Sequence, residues 1–291
     1  MPATHAAPYR DWPTLQHAAA HCRALRDPVA KAGDTHAAFA LFSRGALPLA
    51  DASNWPSIPD AADVGRPGCP RLVAPRQLAS RGLGSPEGRA AFLHAIAHIE
   101  FNAINLAWDA VLRFPGMPAA YYADWAACAD DEARHFELLA ARLADFGHAY
   151  GDFDAHNGLW EMAEKTAGDC LERMALVPRV LEARGLDVTP AMIGRLTQLG
   201  DGATVAILEV ILREEVAHVA AGTRWFHHLC AQRGLTPQPT FIELLRRHAR
   251  DVLRGPFNRP ARRAAGFDDA ELDALAGLDA QGAAVAPGLL G

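Results

Sequence analysis

The chain has 291 residues, half of them hydrophobic, and a formal charge of −6. This is ample for a large buried core, and the negative balance gives no overall drive toward nucleic acid. Five cysteines without close spacing (Cys22, Cys69, Cys128, Cys170, Cys230) argue against a disulfide framework or zinc ribbon and suit a reducing compartment.

The Met-Pro-Ala-Thr-His start lacks a basic segment followed by an apolar run, so no signal peptide is expected. No stretch approaches the ~20 apolar residues that span a bilayer. The expected location is cytoplasmic, away from membranes.

Positions 14–44 show helical spacing of Leu15, Ala18, Ala19, Cys22 and Leu25. From 46 to 84 the chain is rich in Pro and Gly, which reads as an extended segment draped over the rest. Helix A is expected at about 86–113, with Ser85 as N-cap, Pro86 in the first turn and Phe114-Pro115-Gly116 as the stop. Helix B follows at about 118–146, before Gly147. Helix C is expected at about 159–184, stopping at Gly185, and Thr189-Pro190 opens a short helix ending near Gly200. Helix D runs at about 202–233, and two further helices are expected at about 239–253 and 268–277. No region alternates long enough for a sheet, so the fold class is all-α. The expected division is an N-terminal helical and extended segment (1–84), a four-helix bundle (85–234) and a C-terminal helical extension (235–291).

Two stretches carry the chemistry. Residues 131–135 read Asp-Glu-Ala-Arg-His and residues 214–218 read Glu-Glu-Val-Ala-His. Each contains Glu-x-x-His, which puts a carboxylate and an imidazole on one helix face: Glu132 with His135, and Glu215 with His218. Glu100 precedes Glu132 by 32 residues, and Glu182 precedes Glu215 by 33. Four carboxylates and two histidines in this duplicated order match the ligand set of di-iron and di-manganese helical bundles. The faces around Glu100, Glu132 and Glu215 are apolar, where an unpartnered carboxylate is costly and a divalent ion removes the cost. The ordinary alternative is mutual hydrogen bonding in a helical core.

Glu182 has a competitor in Glu172, and Arg179 offers it an i, i+3 salt bridge. Repeat spacing favours Glu182, and Pro178 predicts a kink just before it. Asp131 and Glu214, at i, i+4 from the histidines, are assigned behind the ligands or to solvent. His94 and His98 point away from Glu100, Trp225 reads as core packing, and His156 reads as a loop residue. Seven arginines between 246 and 263 read first as a solvated face and second as an anion or RNA contact. Nucleotide-fold and serine-hydrolase motifs are absent from the sequence.

The stretches His98-Ile-Glu100, Asp130 to His135, Gly158 to Lys165, Met174 to Asp187 and Glu214 to His218 resemble a ferritin-like bacterial family catalogued as domain of unknown function 455. The resemblance runs from about Gly65 to Phe267. It implies a ferritin-like four-helix bundle and supports Glu182 over Glu172, but it supplies no reaction. More distantly, the ligand layout is similar to that of tRNA-modifying non-haem di-iron hydroxylases, an analogy of fold alone.

The resulting expectation is a dinuclear metal protein with Glu100, Glu132, His135, Glu182, Glu215 and His218 around two metal ions, iron or manganese. The favoured activity is O2-dependent oxidation or hydroxylation of a small molecule. Metal storage or peroxide detoxification, and tRNA hydroxylation, are the alternatives. The residues that precede helix A and follow helix D favour the enzyme, because they offer cover for a substrate entrance.

Overall fold

The computed structural model describes residues 11–79, 81–248 and 253–285. Among these the chain is all-helical, apart from one isolated bridge between Leu72 and Ala155. No helix is long and apolar enough to cross a membrane. No disulfide joins any of the described residues.

Positions 14–44 form two helices, α1 (Leu15–Ala24) and α2 (Pro28–Ser43). The helical stretch divides because Asp27 caps the Ala30 N–H at 2.8 Å and Pro28 cannot continue a preceding turn. Helix α3 (Pro86–Arg113) matches the expected helix A, with Ser85 Oγ accepting from Gly88 N–H. Helix α4 (Ala119–Asp145) packs along α3, and α1 and α2 cover the far sides of α3 and α4.

The expected helix C is broken. It consists of α5 (Gly158–Lys165), α6 (Cys170–Leu176), a π-helical turn over Val177–Glu182, and α7 (Ala183–Gln198). Asp169 starts α6 by capping Leu171 N–H at 2.8 Å. The kink expected from Pro178 takes the form of the π turn, whose wider loop absorbs the proline. Gly185 does not end the helix and Pro190 does not begin one, since both lie inside α7. A terminating glycine must turn left-handed, and Gly185 does not, whereas Gly147 and Gly234 do.

Helix α8 (Gly202–Gln232) packs against α4, α6, the π turn and α7. Its Gly222 admits the π turn: a Cβ there would sit 2.3 Å from Pro178 Cγ. Helices α9 (Pro237–His248), α10 (Arg259–Ala264) and α11 (Asp269–Val285) complete the described fold. The sequence pattern missed α10, which is only six residues long, and placed the end of α11 too early.

One apolar cluster runs from Leu15 to Leu275, so α1, α2, α9 and α11 share a core with α3, α4 and α8. The Pro-rich segment is tied across it. Trp55 donates to Leu112 O, and Trp160 donates to Ala61 O, each at 2.9 Å. Arg23 donates to Asp60 O and Asp63 O. At the end of α3, Asp109 meets three guanidiniums, Arg23 at 3.0 Å, Arg113 at 2.9 Å and Arg173 at 2.7 Å. Burial disfavours its charge, yet these partners hold the carboxyl below its usual range.

Candidate metal centre

Glu100 on α3, Glu132 and His135 on α4, and Glu215 and His218 on α8 are all buried. One ligating atom from each of Glu100, Glu132, His135 and Glu215 lies within 4.8 Å of the others. His135 Nδ1 is 3.5 Å from Glu132 Oε2 and 3.7 Å from Glu100 Oε2. His218 Nδ1 is 3.0 Å from Glu132 Oε1 and 3.6 Å from Glu215 Oε1. Glu132 thus touches both imidazoles.

Glu182, at the end of the π turn, lines the same cavity as Glu100, Glu132 and Glu215. Glu172 faces elsewhere, 3.8 Å from both Arg247 and His248. Arg179 does not pair with Glu182. It is fully buried, pairs with Glu271 of α11 at 2.6 Å, and lies against the rings of Phe226, Phe241 and Phe267.

The hydrogen-bond accounting of the six residues bears directly on a metal. Glu100 Oε2, Glu132 Oε2, His135 Nδ1, Glu182 Oε2, Glu215 Oε2 and His218 Nδ1 are each buried without a hydrogen-bond partner. The His218 and Glu132 atoms come close but are not aligned to bond. Buried polar atoms in native proteins are nearly always satisfied. Glu100, Glu132, His135 and Glu215, whose ligating atoms come within 4.8 Å of one another, each leave a buried atom without a partner and so fit a cation held between them, while Glu182 and His218 stand outside that tightest group.

Electrostatics agree. Burial, then repulsion from Glu132, pushes the Glu100 carboxyl well above its usual range. Burial and Glu215 do the same to Glu182, and burial and Glu132 raise Glu215. Against the cost of burial, Glu100, His135 and His218 hold Glu132 well below it. His135, despite burial, is raised to about 11 by Glu100 and Glu132. His218, despite burial, is raised well above its usual value beside Cys128 and Glu215.

Behind each imidazole stands an acid from the opposite helix. His135 Nε2 is 2.8 Å from Glu214 Oε2, and His218 Nε2 is 3.3 Å from Asp131 Oδ2. Arg134 donates to Glu214 at 2.8 Å and also to Asp131. This leaves both Nδ1 atoms turned inward and both rings fixed, the arrangement expected of metal-binding histidines. The crossing, α4 to α8 and α8 to α4, is invisible in the sequence because i, i+4 spacing points each acid toward its own histidine.

His94, His98 and His156 are engaged elsewhere. His94 Nε2 accepts from Gly151 N–H at 2.9 Å; His98 bonds Tyr150 Oη at 2.9 Å and His156 O at 3.2 Å. Burial lowers both to about 4. His156 Nδ1 accepts from Gly158 N–H at 3.1 Å. Trp225 donates to Asp124 at 2.7 Å and packs on Tyr121. In the Arg-rich region Arg259 and Arg263 pair with Asp269, Arg262 is buried against Asp187, and Arg247 pairs with Glu243. Arg250 lies outside the described residues.

Residues 24–273 match the family described as "Protein of unknown function (DUF455)". The chain belongs to the DUF455 family. This DUF455 chain is 50% identical over 211 residues to a protein of Haemophilus influenzae named "Uncharacterized protein", covering 70% of this chain and 73% of that one. No solved structure matches it.

Proposed function

We propose that this chain is a ferritin-like dinuclear metalloprotein, with iron as the first choice and manganese as the alternative, that uses O2 to oxidise a small molecule. The convergence of Glu100, Glu132, His135 and Glu215, each with a buried unpartnered atom, carries the reading. Glu100, Glu132 and His135 would hold one ion, and Glu182, Glu215 and His218 would hold the other. Oxygen donors with imidazole suit iron or manganese. Bound as iron, the pair would supply O2 activation. The chain's own residues fix the imidazoles through Asp131 and Glu214 and surround the site with apolar groups that exclude water. Hydroxylation of R–H consumes O2, two electrons and two protons, giving R–OH and water, so an external electron donor is part of this reading.

The apolar cavity reaching the carboxylates supports a substrate enzyme over storage or peroxide detoxification. The internal pairing of Arg247, Arg259, Arg262 and Arg263 supports a small molecule over RNA.

The test is anaerobic Fe(II) loading with metal analysis, followed by optical and Mössbauer spectra on exposure to O2. The expected result is two irons per chain that oxidise together. The Glu132→Gln variant should retain less than one. Wild-type protein that takes up neither Fe(II) nor Mn(II) at saturation rejects the metal reading.

A further inference from the structure

We infer that the cavity beside the carboxylates binds the uncharged aliphatic part of the substrate, an assignment that rests on the metal reading above. The cavity has a volume of about 320 Å³, at the small end of the ~300–1,000 Å³ of ligand pockets. Its apolar lining comes mainly from α3 and α7, with Leu208 and Ile211 of α8 beside them.

Two helical stripes make its walls. Phe92, Ile96 and Ile99 come from α3, and Gly185, Val188 and Met192 come from α7, with spacings of three, four and seven that keep each stripe on one face. At its floor are the four glutamates. The only other charged residue of the wall is Arg184, whose guanidinium donates to Arg254 O. Beyond the floor, therefore, no carboxylate awaits a cationic ligand. A molecule entering here exchanges water for hydrocarbon along its length and ends against the acids.

Two observations separate this cavity from an ordinary packing defect. It opens to solvent at its rim, where Ile99 is 46% exposed and Ala95, one turn earlier in the same lining, is exposed as well. Gly185 also has no local reason to be glycine. It sits inside a helix, its backbone is not left-handed, and a Cβ there would meet nothing within 4 Å. Glycine weakens a helix relative to alanine. Here it leaves room in a wall.

The test uses the full chain, metal-free and loaded anaerobically with Fe(II), titrated calorimetrically with straight-chain alcohols from n-butanol to n-decanol. Affinity should rise about fourfold per methylene, the equivalent of ~0.8 kcal/mol, and level off when the cavity is full. Glycerol should not bind. Gly185→Phe fills the space while removing a helical glycine, and Ile96→Trp fills it from the opposite wall. Both should abolish alcohol binding and keep wild-type iron content. Iron uptake with no chain-length dependence overturns the inference alone, as does alcohol binding that survives both variants. Chain-length-dependent binding by a protein that takes up no metal overturns the metal reading, and with it the assignment of the chain as substrate.

Discussion

The two halves of the proposed site are built on different backbones. In the first, Glu100 sits in the middle of a 28-residue unbroken helix and faces Glu132 and His135 on another long helix. In the second, the equivalent carboxylate, Glu182, rides on a π turn at the joint of a broken helix, opposite Glu215 and His218 on α8. A regular helix holds its side chains through its own backbone ladder. A π turn does not, so its position depends on what packs around it. Pro178 seated on Gly222 and Arg179 locked to Glu271 serve that purpose.

The largest effect should come from that lock. Arg179→Met leaves Glu271 buried without its ion-pair partner, which costs about 3–5 kcal/mol. Chemical denaturation measures it, and combining the change with Glu271→Leu should recover much of the loss. If the single variant is as stable as wild type, the second half does not need this support.

Next come the acids behind the histidines. Glu214→Gln and Asp131→Asn should each weaken metal binding about 10–100-fold. The direct distances, 2.8 Å for His135 and 3.3 Å for His218, place the larger loss with Glu214. Competition with a chelator reads the ranking, and the reverse order would break the proposed difference between the halves.

Gly222→Ala forces the π turn away from α8 and should cost about 1–3 kcal/mol by overpacking. Its metal content should fall toward one ion per chain, with the Glu100 position retained. Equal loss at both positions would show that the halves are not separable.

The last effect is in pH. His135 rises from 6.5 to about 11 on folding, so the metal-free fold gains most below pH 6.5 and loses that gain as pH climbs toward 11. Glu100, Glu182 and Glu215, also raised, act in the same direction from the usual carboxylate range upward. Glu132 is ionised in both states above pH 6.5 and contributes no slope there. The Tm of metal-free protein should therefore decline between pH 6.5 and 9. Loading metal must displace these protons, so affinity should rise over the same range, with proton release seen by calorimetry in two buffers. A Tm that climbs with pH in metal-free protein would contradict this balance.

The same contrast explains what could be read from the sequence. The ends of α3, α4 and α8 follow from Ser85-Pro86, Gly147 and Gly234, because caps and left-handed glycines are local devices. Burial of Glu100, Glu132 and Glu215 followed from the apolar residues at helical spacing around them. The π turn was legible as a kink at Pro178, but the continuation of α7 through Gly185 and Pro190 was not. Both residues are helix breakers by intrinsic preference, and packing of Leu186 and Leu196 overrides it. Arg179 was read against Glu182 because i, i+3 neighbours are visible in sequence, whereas Glu271, 92 residues away, is not. The exchange of Asp131 and Glu214 between histidines was hidden for the same reason.

Arg134 joins the two halves. It bonds both Glu214 and Asp131, and each of these acids braces one imidazole. One guanidinium therefore connects the supports of both rings. On the proposed metal reading, a change at one imidazole would be felt at the other, a coupling that runs equally in both directions.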